Sequence, residues 1–205
     1  MQQATDVVRV VRYGELAAND FADLALKRLA ASGAEYGDIR VVHSTTQTIR
    51  GEDRRIASIR DNDDVGFGVR VLYHGGWGFA ASSILSLEEV PRVTDLAVEI
   101  ARGSASVAID KVRLAAEPVH RDRITTAVRI DPLTVPLGQK ADLLLATMES
   151  LQAQSGVVRS TAELWARRDR KLFASTEGTR LEFDLIASSG DCTATALHDG
   201  QFASR

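Results

Sequence analysis

The sequence predicts an α+β fold: an antiparallel meander sheet covered by helices, followed by a third helix and a second set of strands. Three observations lead there. Apolar residues alternate in period two along much of the stretch from Ile39 to Ser82, the spacing of half-buried strands. Three other segments, near residues 21–29, 93–100 and 141–151, carry apolar side chains at three- and four-residue steps, the signature of amphipathic helices. From Val157 onward, strand-like runs return between glycine-containing breaks, as expected for a second group of strands.

Taken in order, the opening MQQATDVVRVVRYGE places arginines inside its apolar part and lacks a small-residue cleavage site, so it does not read as a secretory signal. Asn19-Asp20 can cap a helix bearing Phe21, Leu24, Ala25 and Leu29 on one side, and Ser32-Gly33 can end it. Four strands are expected next: Ile39 to Arg50, Arg55 to Arg60, Val65 to Tyr73 and Trp77 to Ser82. Gly51-Glu52-Asp53-Arg54 and His74-Gly75-Gly76 supply turns, the second with glycines suited to the positive φ of a tight hairpin. Ser86-Leu87-Glu88-Glu89 offers a capping box for a second helix with Val93, Leu96, Ala97 and Ile100 buried, Pro91 in its first turn and Gly103 at its end.

Prolines at 118, 132 and 136 and weak periodicity mark a connector, with one strand around Thr125 to Ile130. A third helix from Leu137 to about Gln154 buries Ala141, Leu144, Leu145, Met148 and Leu151 before Gly156. The closing strands are Val157 to Arg167, Lys171 to Ser175, Thr179 to Ser188 and Thr193 to Leu197, and the polar end at Arg205 reads as a chain stopped in mid-sheet. The expected organisation is an N-terminal α/β domain over 1–103, a connector over 104–136, and a helix with strands of a central region over 137–205.

Composition excludes several classes. The 205 residues suffice for one sizeable core or two small ones, and 44% hydrophobic with 26% charged residues is ordinary for a soluble protein. A net charge of -3 argues against nucleic acid and acidic membrane surfaces as partners. No apolar run approaches the roughly 20 residues that span a bilayer. The lone Cys192 cannot form an internal disulfide, and with it a cytoplasmic location is expected.

The four histidines, His43, His74, His120 and His198, are not followed by glutamate and have no second histidine within a turn, so the helical zinc-protease pattern is lacking. Asp61-Asn62-Asp63-Asp64 resembles a calcium loop but places Val65 and Leu72 where oxygen ligands are required; it reads as an acidic turn. The glycines at 66, 68, 75, 76 and 78 lie within or between strands, not at a strand-to-helix phosphate loop, and make room for Trp77, Phe79 and neighbouring backbone. Cys192 follows the polar turn 188–191 with nothing to activate its thiol, and Arg167, Arg168, Arg170 and Lys171 cluster about Asp169 in an expected exposed turn. No catalytic, cofactor-binding or metal-binding residue is assigned.

Longer patterns go further. Ala34-Glu35-Tyr36-Gly37-Asp38-Ile39-Arg40 resembles the opening of the first strand of the TldD/PmbA family of metallopeptidases, also known as modulators of DNA gyrase. Val65 to Val71 and Gly76 to Ser82 resemble its glycine-rich strand and tryptophan hairpin, the latter closer to the TldD-like branch. Asp131-Pro132-Leu133 with Val135, Leu137, Lys140 and Leu144-Leu145 resembles its next helix, and Ser175-Thr176-Glu177-Gly178-Thr179 its serine-acid-glycine turn.

The resemblance implies an N-terminal portion of a two-part, peptide-cleaving enzyme that works as a homodimer or as a heterodimer with a related subunit. The family's zinc-binding His-Glu-x-x-x-His motif has no counterpart in this sequence. Zinc is therefore expected only with a catalytic portion absent from this chain, whose own role would be dimerisation and formation of a peptide channel. The alternative is a non-catalytic module that binds a full-length relative through its sheet edge and the face carrying Trp77 and Phe79. A carrier using the aromatic hairpin for a small ligand is a third reading.

Overall fold

The computed structural model describes residues 18–205; the expectation for residues 1–15 lies outside them. Helix α1, Ala18–Ala31, buries Phe21, Ala22, Ala25 and Leu29 along one stripe. It ends as its sequence dictates: Ser32 returns both its N–H and its hydroxyl to the Leu29 carbonyl, and Gly33 takes φ 78°. Asn19 lies inside this helix, where its side chain accepts a hydrogen bond from Arg180 at 2.6 Å. That bond replaces the expected capping role.

Strands β1 (Tyr36–Glu52), β2 (Arg55–Tyr73) and β3 (Gly76–Ser82) follow. The meander has three strands where four were expected, because β2 runs unbroken through Asp61-Asn62-Asp63-Asp64. Cross-strand hydrogen bonds hold that acidic run extended: Thr45 donates to Asp63 at 3.0 Å and Gln47 to Asp61 at 2.8 Å. Asp53 and Arg54 form the β1–β2 turn with φ of 47° and 63°. A non-glycine pair is tolerated here because the Asp53 carboxylate accepts bonds from the Ser160 amide and Gln152, both at 3.0 Å. At the next turn His74 and Gly75 take φ of 45° and 81°, and β2 pairs antiparallel with β3 from Tyr73↔Gly76 to Phe67↔Ser82.

Helix α2, Glu89–Val107, has Pro91 in its first turn as expected, but no side-chain cap. The Ser86 hydroxyl turns to Glu88 instead of closing a capping box. Its buried stripe is Val90, Val93, Thr94, Ala97, Val98 and Ala101, while Leu96 and Ile100 are exposed. Gly103 does not end the helix, which continues one turn further. The expected strand near Thr125 is β4, Arg121–Thr125, displaced toward the N-terminus.

Helix α3 spans Leu137–Gln152 and buries Leu144 and Met148, with Leu145 partly covered. After it come β5 (Val157–Ser175), β6 (Arg180–His198) and β7 (Gln201–Ser204). The breaks expected at Arg167–Lys171 and Ser188–Asp191 are continuous strand, so Cys192 is a strand residue. Arg168 explains the first: its guanidinium grips both oxygens of Asp184 at 2.6 Å and reaches Asp131 at 3.2 Å. The final residues form β7, paired antiparallel with β6, and Arg205 exchanges backbone bonds with Ala194.

The seven strands form one sheet in the order β3-β2-β1-β5-β6-β4, with β7 also on β6. Bonds from Asp53 to Ser160 and from Thr176 to Gly37 show β1 and β5 running oppositely. By contrast, β4 runs parallel to β6, since Arg180 bonds to His120 and Thr126 to Asp184.

Two units partition the described chain. The first gathers 18–43, 65–124 and 170–183; the second gathers 44–64, 125–169 and 184–205. In the first, α1 and α2 cover one sheet face over a core that includes Ile39, Phe67, Val69, Val71 and Leu172, with Phe21 set edge-on to Phe67 at 5.4 Å. Burying Phe21 contributes about 2–3 kcal/mol. In the second, Ile49, Leu144, Met148 and Ala162 form a smaller core. No helix among the described residues is long and apolar enough to cross a membrane.

Candidate functional site

Strand alternation in the first unit sends Ile39, Val41, Phe67, Val69 and Val71 into the core beneath the helices. Their neighbours Tyr36, Asp38 and Arg40 on β1 and Arg70 and Leu72 on β2 therefore project to the opposite face. Register places Arg70 beside Phe79 and Leu72 beside Trp77. Gly76 and Gly78 take the helix side of β3, where a Cβ at either would lie within 2.2 Å of α2 backbone. The glycines thus let the helix sit directly on the strand, and the aromatics go the other way.

Asp38 is the centre of this second face. It is 1% exposed, and its carboxylate accepts the Arg70 Nε at 2.8 Å, with Arg70 Nη2 at 2.7 Å. Arg40 approaches the other oxygen at 3.7 Å. Each arginine is also stacked: Arg70 lies 4.7 Å from the Trp77 ring centre and 5.9 Å from that of Tyr36, and Arg40 lies 5.5 Å from Phe173. Tyr36 meets Trp77 edge-on at 6.0 Å. Lys171 over Phe183, at 5.9 Å, continues the alternation of cation and ring.

Electrostatics follow from this packing. Burial, followed by the nearby Asp38 charge, pushes the Tyr36 phenol up to about 12, so it stays neutral at all ordinary pH values. Burial also opposes the charge on Arg70, but its bonds to Asp38 outweigh that cost and raise its pKa. A carboxylate so enclosed is a structural counterion, not a base. Phe79 is different, standing 59% exposed over Gly68, where any Cβ would come within 2.9 Å of its ring. The face offers flat apolar contact and guanidinium edges, which suits recognition of another surface or an extended chain.

Sequence reading singled out Trp77 and Phe79 but missed their supports at Tyr36, Asp38, Arg40 and Arg70. The available signal was an aspartate between aromatic and apolar residues at a strand start, opposite in phase to Ile39. The histidines are dispersed. His43 is half-buried on β1, His74 sits in the hairpin turn 3.6 Å from Glu35, His120 precedes β4, and His198 ends β6 beside Asp199. Among the described residues, no group of three or more His, Cys, Asp or Glu side chains is placed to hold a metal ion. These residues do not fit a zinc site, and no hydrolytic step is assigned to them.

The family model for PmbA/TldA metallopeptidase domain 1 matches residues 37–101, which include most of β1, all of β2 and β3, and the first two-thirds of α2. That stretch of the chain is similar to the first domain of the TldD/PmbA metallopeptidases. A metalloprotease of Methanocaldococcus jannaschii is 27% identical over 153 residues, 74% of this chain and 33% of that protein. The chain spans about a third of the length of the curated relatives it matches. In fold it resembles a protein of Bacteroides thetaiotaomicron assigned as a modulator of DNA gyrase, with TM-score 0.74 at 14% identity over 91% of this chain and 43% of that one. TldE of Thermococcus kodakarensis gives 0.57 at 11% identity, covering 91% and 41%.

Proposed function

We propose that this chain is the recognition and assembly portion of a TldD-like zinc metallopeptidase acting on peptides or unfolded proteins in the cytoplasm. In this reading the 205 residues dimerise, with a second copy or a related subunit, and form a wall of the peptide channel. Zinc and the hydrolytic groups come from a catalytic portion beyond these residues. The observation that carries the reading is the match of residues 37–101 to the family's first domain. The exposed Phe79 beside the locked Arg70–Asp38 pair gives that domain a rigid contact surface.

Sedimentation of the purified chain, alone and with a longer family relative, tests this. A dimer or a stable complex is expected at micromolar concentration, and Phe79→Glu should return it to monomer by placing a charge at the contact. A wild-type chain that stays monomeric with and without the relative would refute the assembly role. Chelator-sensitive peptide cleavage by the isolated chain would refute the absence of hydrolytic groups. Exposure of Phe79 also favours a second reading, a binding module that caps a full-length relative without forming a channel. A complex whose peptidase rate is unchanged by Trp77→Ala would select that reading.

A further inference from the structure

The second unit contains a cavity of about 340 Å³ unrelated to the aromatic face. Leu143 of α3, Leu164 and Trp165 of β5, and Val135 supply apolar walls, while Ser188 to Gly190 of β6 form one border. Lys140, in the first turn of α3, lines it. Its side chain is enclosed by the protein, leaving the residue only 8% exposed. The ammonium donates to the amide oxygen of Gln47, and among the described residues no carboxylate pairs with it. That contact is partly buried and its acceptor is neutral, so within the described residues the lysine has no charge complement. A carboxylate in the cavity would supply the missing charge, and the apolar walls would take the hydrocarbon attached to it.

The border with β6 narrows the class further. Hydrogen bonding on the outer side of β6 passes from Asp184 and Ile186, which meet Thr126, to Ala194, which meets Arg205. Between them, among the described residues, neither β4 nor β7 flanks β6. The even-numbered positions Ser188 and Gly190 therefore present backbone N–H and C=O groups outward, beside the cavity. An extended peptide can use such groups, whereas a fatty acid has no amides to offer them.

We infer that the cavity binds the free C-terminal carboxylate of a peptide, with Lys140 as its counterion and an apolar last side chain against Leu143 and Trp165. The inference does not depend on the metallopeptidase reading, since it uses other residues and predicts equilibrium binding without turnover.

Calorimetric titration of the whole chain with an N-acetylated tripeptide ending in leucine tests it, using the free acid, its carboxamide and octanoate. The acid is expected to bind at least about tenfold more tightly than the amide, as for a charge-assisted bond in a sheltered site. Lys140→Met should abolish that preference. If this variant unfolds, Leu143→Glu serves instead: position 143 is 58% exposed, so a carboxylate is tolerated there and would occupy the ammonium. Loss of acid binding in the folded Leu143→Glu protein supports the site. Equal binding of acid and amide, or no binding at millimolar concentration, overturns the proposal. Octanoate binding as tightly as the peptide acid would overturn the peptide assignment.

Discussion

A Cβ atom placed on Gly78 would stand 2.1 Å from the carbonyl oxygen of Ala97, and 2.4 Å from the amide nitrogen of Ala101. Both obstacles are backbone of α2, so neither can rotate away. The glycine is what allows the helix to lie on β3, and the position of α2 in turn covers the core of the first unit.

Gly78→Ala should therefore lower stability by about 3 kcal/mol, the upper part of the range for overpacking, because the whole helix must lift. Gly103 provides the control. It lies within α2, and a Cβ there meets nothing within 4 Å. Gly103→Ala should raise stability by about 0.5–1 kcal/mol through helix propensity alone. Thermal or urea denaturation of the two variants checks both signs.

Arg70 and Asp38 form a pair in which one member is fully enclosed. Arg70→Met leaves the carboxylate without its main partner and should cost about 2–3 kcal/mol, below the figure for a wholly buried pair because the guanidinium is partly exposed. Adding Asp38→Leu removes the stranded charge, so the double variant should be more stable than Arg70→Met alone. Denaturation of the four proteins in the cycle measures the coupling. Loss of the guanidinium from the Trp77 ring should also shift the tryptophan emission.

Tyr36 gives a pH dependence with a defined sign. A phenol that ionises near 10 when unfolded, and near 12 in the native protein, contributes stability that is fully present below about pH 10. That contribution is lost as pH rises through about 12. Tyr36→Phe should flatten the fall of stability across this window. Spectrophotometric titration of tyrosinate should show a phenol ionising at about 12, and the substitution should remove that phase.

Much of the architecture was legible because period two and period 3.6 are local properties. The helix buried by Phe21, Ala25 and Leu29, the hairpin at His74-Gly75, and the stripe of Leu144 and Met148 could all be read from neighbours in sequence. What failed depended on distant partners. Asp61 to Asp64 look like a turn until Thr45 and Gln47 are set opposite them. Arg168 looks like part of a solvated break until Asp184 and Asp131 converge on it. Asp38 and Arg70 are 32 residues apart, and no local pattern announces their bond. Lys140 lies on the same helical stripe as Leu144 and Met148, yet a sequence reading counts it as polar and turns it outward. Its ammonium bonds to Gln47, far away in the chain.

The first unit takes its last contribution from Arg170–Phe183, long after the residues that resemble the family's first domain. During synthesis, the nascent polypeptide holding α1, α2 and the opening hairpins must wait, with Leu172 and Ala174 still inside the ribosome, before its hydrophobic interior can close. That interior is complete only once Ala174 has emerged, so a ribosome stalled between the two stretches would display an unfinished apolar surface to chaperones.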